Sequence, residues 1–171
     1  MSREIVPRVL DVIRRFEGIA DGDPTTVNLD PYLDPVGIWT IGYGHAIRAG
    51  GRFLRGEKDR ARATALYPNG LTRAQAETLL AADALDTARD VEAIVPTTAN
   101  DHQFGALVSF AFNAGASALA TSTLLRKFKA GDAGGAAKEF ERWVKAGNTT
   151  LLGLVRRRQA EAALFGAATS S

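Results

Sequence analysis

Glu17 follows Arg14-Arg15-Phe16 near the expected end of a helix, where the helix dipole disfavours negative charge. Asp34 opens Asp34-Pro-Val-Gly-Ile-Trp-Thr40, which sets a carboxylate six residues before a threonine, across a turn. Taken singly, these are a solvated helix-end glutamate, a turn aspartate and a strand threonine. Taken together they suit one chemistry. Two carboxylates flanking a cleft are what hydrolysis of a glycosidic bond needs. One is held protonated to donate to the leaving oxygen, and the other stays ionised to activate water or stabilise positive charge.

Other chemistries have less to stand on. Cysteine is absent, which removes disulfide frameworks, thiol nucleophiles and Cys-ligated zinc. His45 and His102 are the only histidines, so a three-histidine zinc site is impossible. A zinc amidase built on those two and a carboxylate is the remaining metal alternative. His45, after Gly-Tyr-Gly, reads as structural and paired with a carboxylate near the start of a long helix; His102 reads as surface or capping. No phosphate loop, Gly-x-Ser-x-Gly elbow or zincin motif occurs.

The elements that must position these residues divide by composition. Only 3 of 30 alanines fall in residues 1–60, against 8 of 17 glycines. Alanine is the best helix former, so the later part should be mostly helical and the first part a helix followed by strands and turns. The first helix reads from about Arg3 to Phe16, with Ile5, Val9, Val12/Ile13 and Phe16 on one stripe and Gly18 as its stop. Ile19 to Pro35 reads as turns with short strands, and Gly37 to His45 as a strand or hairpin. Residues 48–70 form a long irregular connection.

Thr72-Arg-Ala-Gln75 is a capping box opening a helix to about Val95, stopped by Pro96. Asn100-Asp-His-Gln103 is a second, opening an apolar, buried central helix from Phe104 to Asn113. Further helices are expected over Thr123–Ala130, Ala133–Lys145 with Asp132 as cap, and Leu154–Phe165, with Trp143 in the core. At 171 residues the chain is long enough for one domain without staples.

Charge adds a partner question. The net charge is +2, yet residues 122–171 carry nine basic and four acidic side chains, while residues 1–60 carry nine of each. The basic C-terminal third could steer the protein to a polyanion. No basic run exceeds three residues and aromatics are not interleaved, which argues against nucleic acid. The N-terminus lacks an apolar signal core and no apolar run is long enough to span a bilayer, so accumulation in the cytoplasm without stable membrane insertion is expected.

Phe16-Glu17-Gly18, then Asp34-Pro-x-Gly-x-x-Thr40-Ile-Gly-Tyr-Gly44-His45, resembles the active-site region of the phage-type lysozymes, the muramidases of T-even and lambdoid phages. The likeness continues through Leu66-Tyr-Pro-Asn-Gly-Leu-Thr-x-x-Gln-Ala76, Ser109-Phe-Ala-Phe-Asn113-Ala-Gly115, Ser122-Thr-Leu-Leu-Arg126 to Glu141-Arg-Trp143, and Gly153-Leu-Val-Arg-Arg-Arg158-x-Ala-Glu161. It implies an α+β, mostly helical, lysozyme-like fold. A small N-terminal lobe with a β-hairpin sheet is joined by a long helix to a larger helical lobe, with substrate between the lobes. The chain would be a single domain over 1–171, with 18–70 the β-containing part and 1–17 and 71–171 the helical part and connecting helix.

The same resemblance implies a peptidoglycan-degrading endolysin. It would cleave the β-1,4 bond between N-acetylmuramic acid and N-acetylglucosamine with inversion, which requires carboxyl groups about 6.5–9.5 Å apart. Glu17 would be the general acid, Asp34 the carboxylate that orients and activates water, and Thr40 the residue that places it. Phe112 and Asn113 would contact substrate, and one of Arg156, Arg157 and Arg158 would approach Glu17. No cofactor or metal is implied, nor any nucleic acid; the expected state is a monomer held in the host cytoplasm until a holin-type release to the wall. Sixteen residues separate Glu17 from Asp34, a longer stretch than the family carries, so Asp21, Asp23 and Asp30 stand as rivals to Asp34. A lytic transglycosylase and a catalytically silent wall-binding module are the alternatives.

Overall fold

Alanine-rich stretches form the helices, as their backbone preference requires. The computed structural model describes residues 7–17 and 28–167. In chain order the elements begin with α1 (Pro7–Glu17), β1 (Asn28–Leu29), β2 (Tyr32–Leu33), β3 (Trp39–Ile41), β4 (His45–Ala46), β5 (Arg48–Ala49) and β6 (Arg52–Phe53). A 3-10 turn (Glu57–Asp59), α2 (Arg60–Leu66), β7 (Leu71–Thr72), α3 (Arg73–Glu92), α4 (Asp101–Ala114) and α5 (Ala116–Thr121) follow. The chain continues through α6 (Thr123–Lys129), α7 (Ala133–Glu139), a 3-10 turn (Phe140–Arg142), β8 (Lys145–Ala146), β9 (Thr149–Thr150) and α8 (Leu152–Phe165).

The contacts fall into two compact units, one of residues Glu17–Asp83 and one of Met1–Phe16 with Ala84–Ser171. The first holds every paired strand except the β8–β9 hairpin, which belongs to the second. Strands β2, β3 and β4 form an antiparallel sheet, with Tyr32 opposite Thr40 and Ile41 opposite His45. β3 is buried along its whole length, and its Trp39 and Ile41 join Ile47, Leu54 and Leu80 as apolar core. Strand β1 pairs with β7, and β5 with β6.

The helical unit is organised by α4, which is buried from Phe104 to Ala111. Phe110 meets Phe140 edge-on at 5.7 Å and Trp143 at 5.1 Å between ring centroids. Phe165 is within 5.0 Å of Phe128. Gly105 lets α1 close on α4: a Cβ there would collide with the Val9 side chain.

Both expected capping boxes are present. Thr72 N donates to Gln75 Oε1 at 2.8 Å and Gln75 N to Thr72 Oγ1 at 3.2 Å, while Asn100 and Gln103 exchange the same pair of bonds at 3.0 and 2.8 Å. Asp132 caps α7 through Gly135 N at 2.7 Å. Other boundaries move. The α3 helix ends at Glu92 rather than Val95, its last residues passing into turn bonds such as Val95 N to Val91 O at 3.0 Å. The single helix expected over Ala133–Lys145 breaks at Glu139 into a 3-10 turn and then the β8–β9 hairpin. The connection over residues 48–70 contains β5, β6 and α2. Arg3, Ile5, Gly18 and the turns expected between Ile19 and Val27 lie outside the described residues.

Candidate active site

Glu17 is the last residue of α1, and the Arg14-Arg15 pair in the same turn suits that helix end better than a carboxylate does. The glutamate is half-buried and reaches toward the β3–β4 turn. A Cβ on Gly44 would stand 3.2 Å from Glu17 Oε2. Gly44 has φ +82, a left-handed conformation that an L side chain rarely adopts, so it serves the turn and leaves the carboxylate room.

Asp34 sits where β2 gives way to the turn into β3. Its Oδ1 accepts from Val36 N at 3.0 Å and Ile38 N at 2.7 Å, and Gly37 N donates to Asp34 O at 3.0 Å. These bonds fix one carboxylate oxygen, while Oδ2 takes no hydrogen bond among the described residues. Thr40 is 4% exposed, and its hydroxyl donates to Ile38 O at 3.1 Å. With the proton committed to a carbonyl, the oxygen lone pairs are left to accept.

Tyr32 links the three. It is the cross-strand partner of Thr40, and burial, then Asp34, then Glu17 raise its phenol pKa above the ordinary value. Both carboxylates therefore act electrostatically on a single hydroxyl. Sequence reasoning missed Tyr32, although Tyr32-Leu33-Asp34 carried a signal: side chains two apart on an extended segment share a face.

The rivals to Asp34 are placed differently. Asp30 is exposed, with Oδ1 2.8 Å from where a Gly70 Cβ would stand. Asp21 and Asp23 lie outside the described residues. His45 Nδ1 lies 2.9 Å from Asp83 Oδ2, so its carboxylate partner is in the middle of α3 rather than near its start. Tyr43 donates to Glu77 Oε1 at 2.7 Å and pins the same turn to the same helix. No three His, Asp or Glu side chains converge as a metal site among the described residues.

Phe112 and Asn113 belong to the last turn of α4 in the helical unit, the phenylalanine half-buried and the asparagine exposed. Asn113 Oδ1 accepts from Arg158 Nη2 at 2.7 Å. Arg157 and Arg158 are buried against Glu161, at 3.1 and 3.2 Å, and Ser109 Oγ donates to the same carboxylate at 2.7 Å. Arg156 is exposed. Trp143, expected in the core, is half-buried on the edge of Phe110, and the His102 ring is half-buried in the first turn of α4.

Comparison with known proteins gives this arrangement a family. The sequence profile of the phage lysozymes matches residues 23–161. The chain belongs to the phage lysozyme family. That matched stretch contains Asp34 and Thr40, and Glu17 lies upstream of it.

The chain is 34% identical over 163 residues to the endolysin of Acyrthosiphon pisum secondary endosymbiont phage 1, covering 93% of this chain and 95% of that protein. The muramidase domain of SpmX from Asticaccaulis excentricus superposes with a TM-score of 0.76 at 31% identity, covering 97% and 99% of the two chains. The endolysin from Escherichia coli O157:H7 phage FAHEc1 does so at 0.74 and 29% identity, covering 97% and 95%. The lysozyme-like fold implied by the sequence is thus the one observed. As a member of the family, the chain is a lysozyme-type glycoside hydrolase that degrades peptidoglycan. Among the described residues no helix is long and apolar enough to cross a membrane.

Proposed function

We propose that the chain hydrolyses the β-1,4 bond between N-acetylmuramic acid and N-acetylglucosamine with inversion, using Glu17, Asp34 and Thr40. Glu17 gives its proton to the glycosidic oxygen as the bond to the anomeric carbon breaks. Water attacks that carbon from the opposite face, donating one hydrogen to Asp34 Oδ2 and the other to the Thr40 hydroxyl oxygen. Asp34 takes the water's proton as the new bond forms, and solvent exchange then returns both carboxyls to their starting states.

The observation that carries this reading is how the two acceptors are prepared. Backbone N–H groups hold Asp34 Oδ1 and leave Oδ2, while Ile38 O takes the Thr40 proton and leaves its lone pairs. Two acceptors whose own bonds leave lone pairs free suit a water molecule that must give away its hydrogens. The Tyr32 phenol is raised by Asp34 and Glu17, which favours Asp34 as the second carboxylate. The proposal extends to a monomer that acts on peptidoglycan without cofactor after holin-type release from the host cytoplasm; the name of its endolysin relative supports the action on the wall.

The sugar released tests the chemistry. Digestion of purified peptidoglycan followed by proton NMR should show the α-anomer of the new reducing end first. An initial β-anomer would mean a retaining double displacement. A 1,6-anhydro end would mean transglycosylation, in which no water is placed at all.

A further inference from the structure

The segment Arg48–Arg62 carries six basic residues against Glu57 and Asp59. Its two acids are already engaged. Arg52 grips Asp59 with both terminal nitrogens, at 2.7 and 2.8 Å, and Arg55 N donates to the same carboxylate at 2.8 Å. Glu57 pairs with Arg60. Arg48, Arg55, Lys58 and Arg62 have no carboxylate partner among the described residues. Arg48, Arg52, Phe53, Arg55 and Lys58, with Gly51, line an open depression of about 580 Å³ on the β5–β6 hairpin.

This depression is tied to the proposed catalytic segment. Ile38 bridges Arg55, Trp39 N donates to Leu54 O at 2.9 Å, and Gly56 N donates to Gly37 O at 3.0 Å. The Trp39 indole adds a bond to Gly56 O at 2.8 Å. A polymer engaged at Asp34 and Thr40 therefore has the basic depression fixed a few residues away.

Two features narrow the occupant. The donors are separate side chains around an open rim rather than backbone N–H groups converging on one point, so they suit several dispersed single charges better than one phosphate. The aromatic residue of the depression, Phe53, is covered by the Arg48 guanidinium at 3.9 Å from its centroid, so it offers no apolar wedge to a lipid surface. Resting on the assignment of Glu17, Asp34 and Thr40 to peptidoglycan cleavage, we propose that Arg48, Arg55 and Lys58 form a binding surface for the carboxylates of the substrate's peptide branches. The surface retains peptide-bearing strands and takes no part in bond cleavage.

The test compares wild type with Arg48→Gln/Arg55→Gln/Lys58→Gln, leaving Arg52 in place because it locks the hairpin. Rates are measured on intact peptidoglycan and on the same glycan stripped of its peptides by an amidase. On intact wall the variant's KM should rise about fivefold, as expected for three weak exposed ion pairs, with kcat unchanged. On stripped glycan the two proteins should match. An unchanged KM on intact wall, or an equal rise on both substrates, overturns the proposal. So does unchanged wall affinity with lost binding to anionic phospholipid vesicles or to DNA.

Circular dichroism and the melting temperature check folding, and Arg55→Gln/Lys58→Gln replaces the triple variant if that fails. Failure of the catalytic reading would look different, with wild type releasing no reducing ends from either substrate. Cosedimentation with intact and stripped wall then decides the binding surface by itself.

Discussion

Tyr32 stands directly across the β2–β3 ladder from Thr40, and its phenol feels both Asp34 and Glu17. The pairing holds Thr40 in register with the turn that carries Asp34, so a change at the hydroxyl should be felt in the reaction rather than in the fold. Thr40→Val keeps the branched shape that suits β3 and removes the acceptor. Lysis of permeabilised cells should fall by roughly 10²-fold, the usual cost of one positioned hydrogen-bonding group. Thr40→Ser should keep most of the activity.

Glu17→Gln removes the transferable proton and keeps the shape. Activity should drop roughly 10²–10⁴-fold with the melting temperature unchanged. Asp34→Asn keeps an oxygen for the Val36 and Ile38 amides but loses the base, so its loss should be comparable and far exceed that of Asp30→Asn. Near-normal lysis by Asp34→Asn would move the role to Asp21, Asp23 or Asp30.

Asp59 gives the β5–β6 region a pH signature. The Arg52 guanidinium, then the Arg55 amide, hold its carboxyl well below the usual carboxylate range. A carboxyl depressed on folding stabilises the native state at pH values above its unfolded pKa and loses that contribution as pH falls through the folded value. Melting temperature should therefore decline on acidification below about pH 4. Asp59→Asn should lower it at neutral pH and flatten that decline; an unchanged profile would mean the Arg52 pair carries no stability.

Glu161 lies with Arg157 and Arg158 in the interior of the helical unit, and burial pushes its carboxyl up against the opposing pull of both guanidiniums. Glu161→Ala would remove the carboxylate that Arg157 and Arg158 share in the interior. The expected loss is about 3–5 kcal/mol in denaturant unfolding. A loss below 1 kcal/mol would show that water reaches the arginines.

Legibility in the sequence followed the range of the interactions. Capping boxes at Thr72 and Asn100 are local, so three-residue spacing was enough to find them. The Asp34 turn was legible for the same reason. Tyr32 was not, because its place depends on a cross-strand register with Thr40. The α5 helix was missed because Ala-Ser-Ala-Leu-Ala-Thr has helix propensity but only Leu119 to bury. Counts of charge say nothing of pairing. Among the basic side chains in residues 122–171, Lys127 is paired with Glu139, and Arg157 and Arg158 with Glu161. The balanced count over residues 1–60 concealed the basic run that begins at Arg48.

The collision that any side chain at Gly105 would make with Val9 bears on how the chain is born. The α1 helix is synthesised well before α4 and α8, which belong to the same compact unit. At roughly 5–20 residues per second, Val9 waits on the order of five to twenty seconds for the segment containing Gly105. The unit Glu17–Asp83 is contiguous in sequence and meets no such delay. During synthesis the apolar stripe of the α1 segment has no α4 to cover it, and chaperones have that interval in which to engage it.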